Sequence, residues 1–512
     1  MKFKLMEISK IQPRVFLVLI LSIYVCHMSA KTFEFTPDTT SVIRNPLQGW
    51  VMYLGRNWDE NFWETQGYDQ IKVKGSEEKV RVSDYATCAY IRTSWTSLEP
   101  EEGKYIWEDP DSRLMKLLKS VRERGLKIAF RVVIDGRDQG QNTPQYVFDA
   151  GAKYYYDPKN PGKNLSPYPD DKIFQEKYSK FFKAFGERFD DPSEVEFIDA
   201  YSLGKWGESH SMIYENNNNK LNVFEWMIDL ASDSFKKVPT VIHYHRMLGD
   251  PDDDGWGNVS KDTEHMLNYA IDKGFILRHD AFGMTGYYQD WEKETATNWN
   301  NIRPIIMEGG WITGAHHRYW RDPSGNYREG HPEDVRTGEF LASEEAKVNM
   351  MDLRINDETR SWFQDSFPLV KEFIKRGGYR LYPSSVTFEE TATPNSEIDI
   401  LSEWSNIGWG YCPTNIPQWN QKYKVGFALL DDNERPVKIF IEQKSDLSKW
   451  TLNNSGKYTT KADLTDVPSG DYTWAVALVD VTDNNRPALR MAVDSPNYNG
   501  EWLKIGNLKI KK

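Results

Sequence analysis

The sequence predicts an α/β protein in which a (β/α)8 TIM barrel is followed by a C-terminal antiparallel β-sandwich domain. Eight short apolar runs alternate with helix-like segments between residues 46 and 378, and this order indicates parallel strands joined by crossover helices. After residue 378 helical periodicity ends and short alternating runs begin, which is typical of a sandwich. A doubly wound open sheet is the alternative for the first part, but no glycine-rich nucleotide fingerprint follows the first strand.

The barrel strands are predicted from apolar runs of strand length that end in turn residues. In chain order they cover residues 49–55, 86–95, 127–134, 195–204, 240–245, 275–283, 303–311 and 348–355. The helices are predicted from apolar residues at helical spacing, and they cover residues 111–124, 173–189, 223–236, 263–273 and 361–376. The sandwich strands are predicted at residues 424–430, 436–443, 472–481, 489–494 and 502–510.

The first 30 residues have the features of a secretory signal peptide. Basic residues precede an apolar stretch at 15–25, and cleavage is predicted after Ala30. Cys26 as a lipid-attachment site is the less favoured alternative, because Tyr24 and Val25 occupy positions where small residues are expected. We therefore expect a secreted or periplasmic protein with no integral membrane segment after signal removal. The predicted domains are the signal peptide 1–30, the barrel 31–378 and the sandwich 379–512.

Composition and charge narrow the class of partner. A net charge of −12 argues against a nucleic-acid partner, which would require a basic face. The 19 Trp, 27 Tyr and 24 Phe residues suit clefts in which sugar rings lie on aromatic faces, although a large aromatic core is the alternative. The mature chain has two cysteines, Cys88 and Cys412, too few for a cysteine-based metal site. The set His210, His279, His316 and His317 matches no ligand motif, so no metal or cofactor is predicted.

Two glutamates occupy the positions where a TIM barrel carries its chemistry, the C-terminal ends of the strands. Glu208 follows the fourth strand and Glu308 ends the seventh, on opposite sides of the predicted barrel mouth. Paired carboxylates across a cleft are what glycoside hydrolysis requires. The other residues predicted to bind substrate at strand ends are Arg92, Trp95, Asp135, Trp206, His210, His243, His245, Tyr287 and Trp311.

Two of these predictions depend on strand geometry. Arg92 lies in an otherwise apolar strand, and a buried arginine needs a carboxylate partner, for which Glu308 is the candidate. His243 and His245 are two positions apart on the fifth strand; we expect one ring in the barrel and the other outside.

The segment 90–107, YIRTSWTSLEPEEGKYIW, resembles the second-strand signature of the clan A glycoside hydrolases. The resemblance implies a retaining mechanism in which Arg92 supports the nucleophile Glu308 and Glu208 is the acid/base with a raised pKa. The chain departs from the clan at Gly207, where an Asn is usual, and in lacking a clean His-x-Tyr near the sixth strand, a role that falls to Tyr287 or Tyr288. No Trp marks the end of the eighth strand.

The whole chain also resembles barrel-plus-sandwich proteins of polysaccharide-degrading gut bacteria, whose sandwich motif is similar to WSNIGWGYCP at residues 404–413. The predicted function is therefore an exported glycoside hydrolase acting on a poly- or oligosaccharide. The alternative is a non-catalytic glycan-binding protein on a degenerate barrel, which fits the loss of the Asn before Glu208. An esterase is disfavoured because no Gly-x-Ser-x-Gly elbow is present.

Overall fold

The computed structural model describes residues 30–55, 59–137, 140–157, 160–251, 259, 261–284, 287–311 and 325–511. The predicted signal peptide up to residue 29, with Cys26, lies outside the described residues, as do His316 and His317. Within the described ranges, no helix is both long enough and apolar enough to cross a membrane.

Eight parallel strands close into a barrel, which confirms the predicted fold class. They are β1 Gly49–Gly55, β2 Ala86–Ser94, β3 Lys127–Val133, β4 Val195–Asp199, β5 Thr240–His243, β6 Ile276–His279, β7 Ile305–Met307 and β8 Met350–Asp352. Each strand pairs with its neighbour in chain order, and β8 returns to pair with β1 through Met350 and Gly49. The later strands end before the predicted limits, at Asp199, His243, His279, Met307 and Asp352.

Helices surround the barrel on its outer face. They are α1 Arg113–Glu123, α2 Lys172–Phe189, α3 Lys220–Ser234, α4 Thr263–Asp272, α5 Asp290–Trp299, α6 Pro332–Glu345, α7 Asp357–Gln364 and α8 Phe367–Arg376. The prediction of one helix over 361–376 is wrong. Pro368 lies in the first turn of α8, where proline starts a helix because it lacks the N–H needed to continue one.

The C-terminal region is a two-sheet sandwich, as predicted. Its main strands are β9 Leu381–Glu389, β10 Glu397–Asn406, β11 Tyr423–Leu430, β12 Pro436–Glu442, β13 Gly456–Asp463, β14 Gly470–Asp480, β15 Arg486–Leu489 and β16 Leu503–Ile510. One sheet has the order β9-β10-β13, and the other contains β16-β14-β11-β12 with β15 beside β14. The strand Ala30–Glu34 pairs with β9, so these residues belong to the sandwich although residues 31–378 are predicted as barrel.

The sandwich contacts the N-terminal end of the barrel, the end opposite the predicted site. The Trp409 indole donates to the carbonyl of Val348 at 2.7 Å, and the Asn349 amide donates to the carbonyl of Tyr411 at 2.8 Å. Val348 and Asn349 immediately precede β8. The motif at 404–413 is therefore part of the contact between the two domains.

Candidate active site

The polar residues of the site form one layer of the barrel interior. Strand side chains alternate between faces, so a residue two positions after an inward one also points inward. An apolar layer contains Ala129, Phe197, Val241, Ile276, Ile306 and Met350. The residues two positions further along each strand are charged or titratable, and we call them the charged layer. They are Arg131, Asp199, His243, Arg278, Glu308 and Asp352. All six of these residues are at most 2% exposed.

Arg131 connects the two predicted catalytic glutamates. Its Nη1 donates to Oε1 of Glu208 at 2.9 Å, and its Nη2 donates to Oε2 of Glu308 at 2.8 Å. The two terminal nitrogens of a guanidinium are about 2.3 Å apart, so the bonded oxygens of the two glutamates are at most about 8 Å apart. Glu208 and Glu308 are 100 positions apart in the chain but share one cation.

Glu308 is the most heavily paired carboxylate of the charged layer. Besides Arg131, it accepts from Nε of Arg278 at 3.0 Å and from Nη1 of Arg354, and Nε2 of His243 lies 3.3 Å from its Oε2. Burial raises the pKa of Glu308, but the three guanidinium groups outweigh burial and hold the pKa well below its ordinary value. Glu308 is therefore ionised at neutral pH.

Two aspartates pair with the opposite sides of the same arginines. Asp199 accepts from Nε of Arg131 at 2.8 Å and from the Tyr90 hydroxyl at 3.0 Å. Asp352 accepts from Nη2 of Arg278 at 2.8 Å. Buried charges are tolerated only when they are paired and hydrogen-bonded, and this alternation of cations and carboxylates across the layer meets that requirement.

Glu208 lies in a tightly coiled loop after β4. Gly204 and Gly207 have φ of 81° and 72°, and the non-glycine residues Trp206 and Ser209 have φ of 60° and 65°. A side chain at Gly204 would place its Cβ 2.6 Å from the carbonyl oxygen of His210. Non-glycine residues in the left-handed region cost free energy, which the rest of the fold must offset, and they cluster at functional sites. The loop after β4 therefore has a feature of functional sites.

The predicted raised pKa of Glu208 is wrong for this arrangement. Burial does raise the pKa, but the His210 ring, with Nε2 3.7 Å from Oε2 of Glu208, and the Arg131 guanidinium outweigh it. The pKa of Glu208 is lowered to about 2. Glu208 is thus ionised at neutral pH in the absence of substrate.

A group of aromatic and imidazole rings surrounds these carboxylates. Nε2 of His245 donates to the Glu208 carbonyl at 2.9 Å, and the His245 ring centroid lies 5.3 Å from that of His210. The Tyr287 ring lies 5.7 Å from the His279 ring. The expected opposite orientation of His243 and His245 is wrong, because residues two positions apart in extended chain point to the same face, and both rings lie at the site.

No set of three or more His, Cys, Asp or Glu side chains within the described residues is arranged to hold a metal ion. Cys88 and Cys412 are both buried and unpaired.

Trp95 lies in the core rather than at the mouth, contrary to its prediction. It is wholly buried and packs against Tyr178 and Phe181 of α2 at ring distances of 5.2 and 5.4 Å. Its indole N–H donates to Glu99 at 2.7 Å, and Glu99 also accepts from the Gly103 backbone at 2.7 Å. The family-like segment at 90–107 is therefore largely a structural element, because it starts a short helix that turns Trp95 away from the barrel axis.

Arg92 and Asp135 lie near the mouth with other partners than predicted. Arg92 donates to the Trp206 carbonyl at 3.3 Å, whereas the guanidinium contacts of Glu308 come from the other arginines described above. Asp135 accepts from Nε of Arg137 at 2.8 Å and from the Tyr155 hydroxyl at 2.9 Å. Both residues thus support the loops of the mouth.

The predicted tryptophan platforms lie at the rim. Trp311 directly follows Gly310 and is 38% exposed, with the Arg354 guanidinium 4.8 Å from its ring centroid. The Trp206 ring is partly buried, and Nζ of Lys205 lies 4.3 Å from its centroid. Trp311 therefore presents a flat apolar face to solvent beside the carboxylates.

Most of the site's charged residues were not predicted from the sequence. These are Arg131, Asp199, Arg278, Asp352 and Arg354. Arg131 and Arg278 meet the criterion applied to Arg92, because each is a charged residue inside an apolar strand. Each also lies two positions after an inward-pointing apolar residue, which predicts a side chain in the barrel interior.

No protein-family model matches the chain, and a search of curated proteins returns no significant match. Solved structures to which the chain is similar include the catalytic domain of beta-amylase from Paenibacillus polymyxa, at 10% identity and TM-score 0.40 over 64% of this chain and 98% of that one. They also include endo-glycoceramidase II from Rhodococcus sp., at 12% identity and TM-score 0.38 over 83% and 99%. A third is the endo-beta-1,4-mannanase from Thermotoga petrophila, at 10% identity and TM-score 0.39 over 92% and 98%. At these TM-scores the similarity carries no argument about activity, and the barrel is defined by its own strand pairing.

Proposed function

We propose that this protein is an exported glycoside hydrolase whose reaction takes place at the C-terminal mouth of the barrel. The observation that carries the proposal is the Arg131 guanidinium, which holds Glu208 and Glu308 within one hydrogen-bonded unit. Paired carboxylates cleave glycosidic bonds at about 5–5.5 Å in retaining enzymes and about 6.5–9.5 Å in inverting ones, and the ceiling of about 8 Å set by the guanidinium is compatible with either separation.

The charge state of Glu308 suits the nucleophile of a retaining mechanism. Three arginines keep it ionised, and an ionised carboxylate can attack the anomeric carbon or stabilise the oxocarbenium-like transition state. Glu208, also ionised, is suited to activate the water that releases the sugar. Trp311, which is 38% exposed, supplies an aromatic face against which a pyranose ring can lie.

The ceiling on the carboxylate separation admits both the retaining and the inverting geometry. The anomer of the first product distinguishes them. We expect proton NMR of an early time point to show the same anomeric configuration as the substrate. An inverted product would refute the covalent role of Glu308 while leaving the hydrolase proposal in place.

A non-catalytic glycan-binding protein is the second candidate, and one observation favours it. Glu308 is wholly buried, and both of its oxygens accept from arginines, as expected of a structural charge. Incubation with a panel of plant and host glycans separates the candidates. A hydrolase releases new reducing ends, whereas a binding protein retains the glycan and releases none.

A further inference from the structure

A third carboxylate, Asp280, follows β6 at the same end of the barrel. Its Oδ1 lies 3.5 Å from Nη2 of Arg354, and among the described residues this buried oxygen has no hydrogen-bond partner. The other terminal nitrogen of Arg354, Nη1, donates to Glu308. Arg354 therefore lies between Asp280 and Glu308, just as Arg131 lies between Glu208 and Glu308.

Asp280 is also the most accessible of the three carboxylates. Its side chain is 18% exposed, against 6% for Glu208 and 0% for Glu308. Its ion pair with Arg354, at 3.5 Å, is also longer than the pairs that Glu208 and Glu308 make with Arg131, at 2.9 and 2.8 Å.

We propose that Asp280 holds the proton that is delivered to the leaving oxygen, while Glu208 remains ionised and activates water. This inference rests on the proposed hydrolase function. It resolves the conflict between the charge state of Glu208 and the requirement of glycoside hydrolysis for one protonated carboxyl.

The groups that face Asp280 come from several strands. They are Arg354 after β8, Glu208 after β4, Glu308 after β7, His243 of β5 and Tyr287 in the loop after β6. Burial raises the pKa of Asp280 to about 7; the Arg354 charge opposes this rise, and the negative charges of Glu208 and Glu308 add to it. Oε2 of Glu208 is likewise buried without a hydrogen-bond partner among the described residues, so the features that distinguish Asp280 are its greater exposure and its place beside Arg354.

Asp280 transfers its proton to the glycosidic oxygen as the bond to the anomeric carbon breaks, and the electron pair of that bond goes to the departing alcohol. An electron pair of Glu308 forms the glycosyl ester. Glu208 then takes a proton from water, the oxygen of that water displaces Glu308, and the proton passes to Asp280 for the next cycle.

The test compares Asp280→Asn with Glu208→Gln on two probes of one sugar, a 4-nitrophenyl glycoside and an oligosaccharide. Nitrophenolate leaves without a proton, whereas a sugar alcohol needs one. We expect Asp280→Asn to lower kcat/KM at least about 100-fold on the oligosaccharide and less than about tenfold on the nitrophenyl glycoside. Glu208→Gln should lower kcat with little effect on kcat/KM, because kcat/KM reports the first irreversible step.

Asp229→Asn is the matched control for loss of one carboxylate. Asp229 lies on α3, is half exposed and pairs with Lys273 at 2.6 Å, so we expect unchanged kinetics. The inference would be overturned if Glu208→Gln lowered kcat/KM more on the oligosaccharide than on the nitrophenyl glycoside and Asp280→Asn did not. The hydrolase proposal would then still stand. Wild-type protein that cleaves neither probe nor any panel glycan would overturn both.

A second readout needs no substrate. A carboxyl whose folded pKa is raised above its unfolded value of about 3.9 binds its proton more tightly in the folded state. Its contribution to stability is therefore lost as pH rises from about 4 to above 7. Wild-type protein should lose melting temperature over this range through Asp280, and Asp280→Asn should lose less. Equal slopes would show that Asp280 carries no proton at neutral pH.

Discussion

Replacing Arg131 with Met removes the cation shared by three buried carboxylates. Arg131 is wholly buried and pairs with Asp199, Glu208 and Glu308. After the replacement Asp199 keeps the Tyr90 hydroxyl, and Glu308 keeps two other arginines. Glu208 loses its only arginine contact among the described residues. The expected loss of folding free energy is therefore closer to that of one broken ion pair than to that of three.

Removing one partner of a buried ion pair costs about 3–5 kcal/mol, because the other charge is left uncompensated. At about 2 °C per kcal/mol for a large domain, we expect the melting temperature to fall by about 6–10 °C. Circular dichroism at neutral pH measures this. The control Arg122→Met removes a half-exposed arginine from Glu194, which retains Arg188, and should cost less than about 1 kcal/mol.

The pH dependence of the Arg131→Met effect follows from Glu208. In the wild type its pKa is lowered to about 2, so its ion pair contributes stability that is present above the unfolded pKa of about 4.3 and lost as pH falls towards 2. The difference in melting temperature between wild type and variant should therefore narrow below about pH 4. A variant that melts within 2 °C of wild type at pH 7, or a difference that widens in acid, would refute the reasoning.

Two further predictions concern individual residues. Glu308→Gln should abolish hydrolysis, and it should also lower the melting temperature by several degrees because three buried arginines lose a counter-charge. Activity assays and melting curves measure the two effects. Full activity of the variant would exclude Glu308 from the chemistry. Trp95→Ala should cost about 3–5 kcal/mol through the cavity it leaves in the core, with KM unchanged at a temperature where the variant is folded. A large rise in KM without loss of stability would instead show that Trp95 contacts the substrate.

The barrel and the positions of both glutamates could be predicted because they depend on local patterns. Short apolar runs bounded by turn residues locate β7 and place Glu308 at its end. The criterion of a charged residue inside an apolar strand was applied to Arg92 alone, and the same criterion applied to Arg131 and Arg278 would have revealed the charged layer. The strands β9, β10 and β13 were missed, although β10 alternates cleanly between buried and partly or fully exposed residues.

The charge states of the site were beyond sequence reasoning. The pKa of Glu208 depends on Arg131, 77 positions earlier in the chain, and no local pattern indicates that pairing. The direction of the Trp95 side chain likewise depends on a short helix, Trp95–Leu98, that begins where β2 ends.

The most direct test of the account is the release of reducing ends by wild type and Glu308→Gln from the same panel of plant and host glycans. We predict release from at least one glycan by the wild type and none by the variant, with both proteins shown to be folded by their melting curves. Retention of glycan without release by the wild type, or equal release by the variant, would contradict the claim that the barrel hydrolyses glycosidic bonds through Glu308.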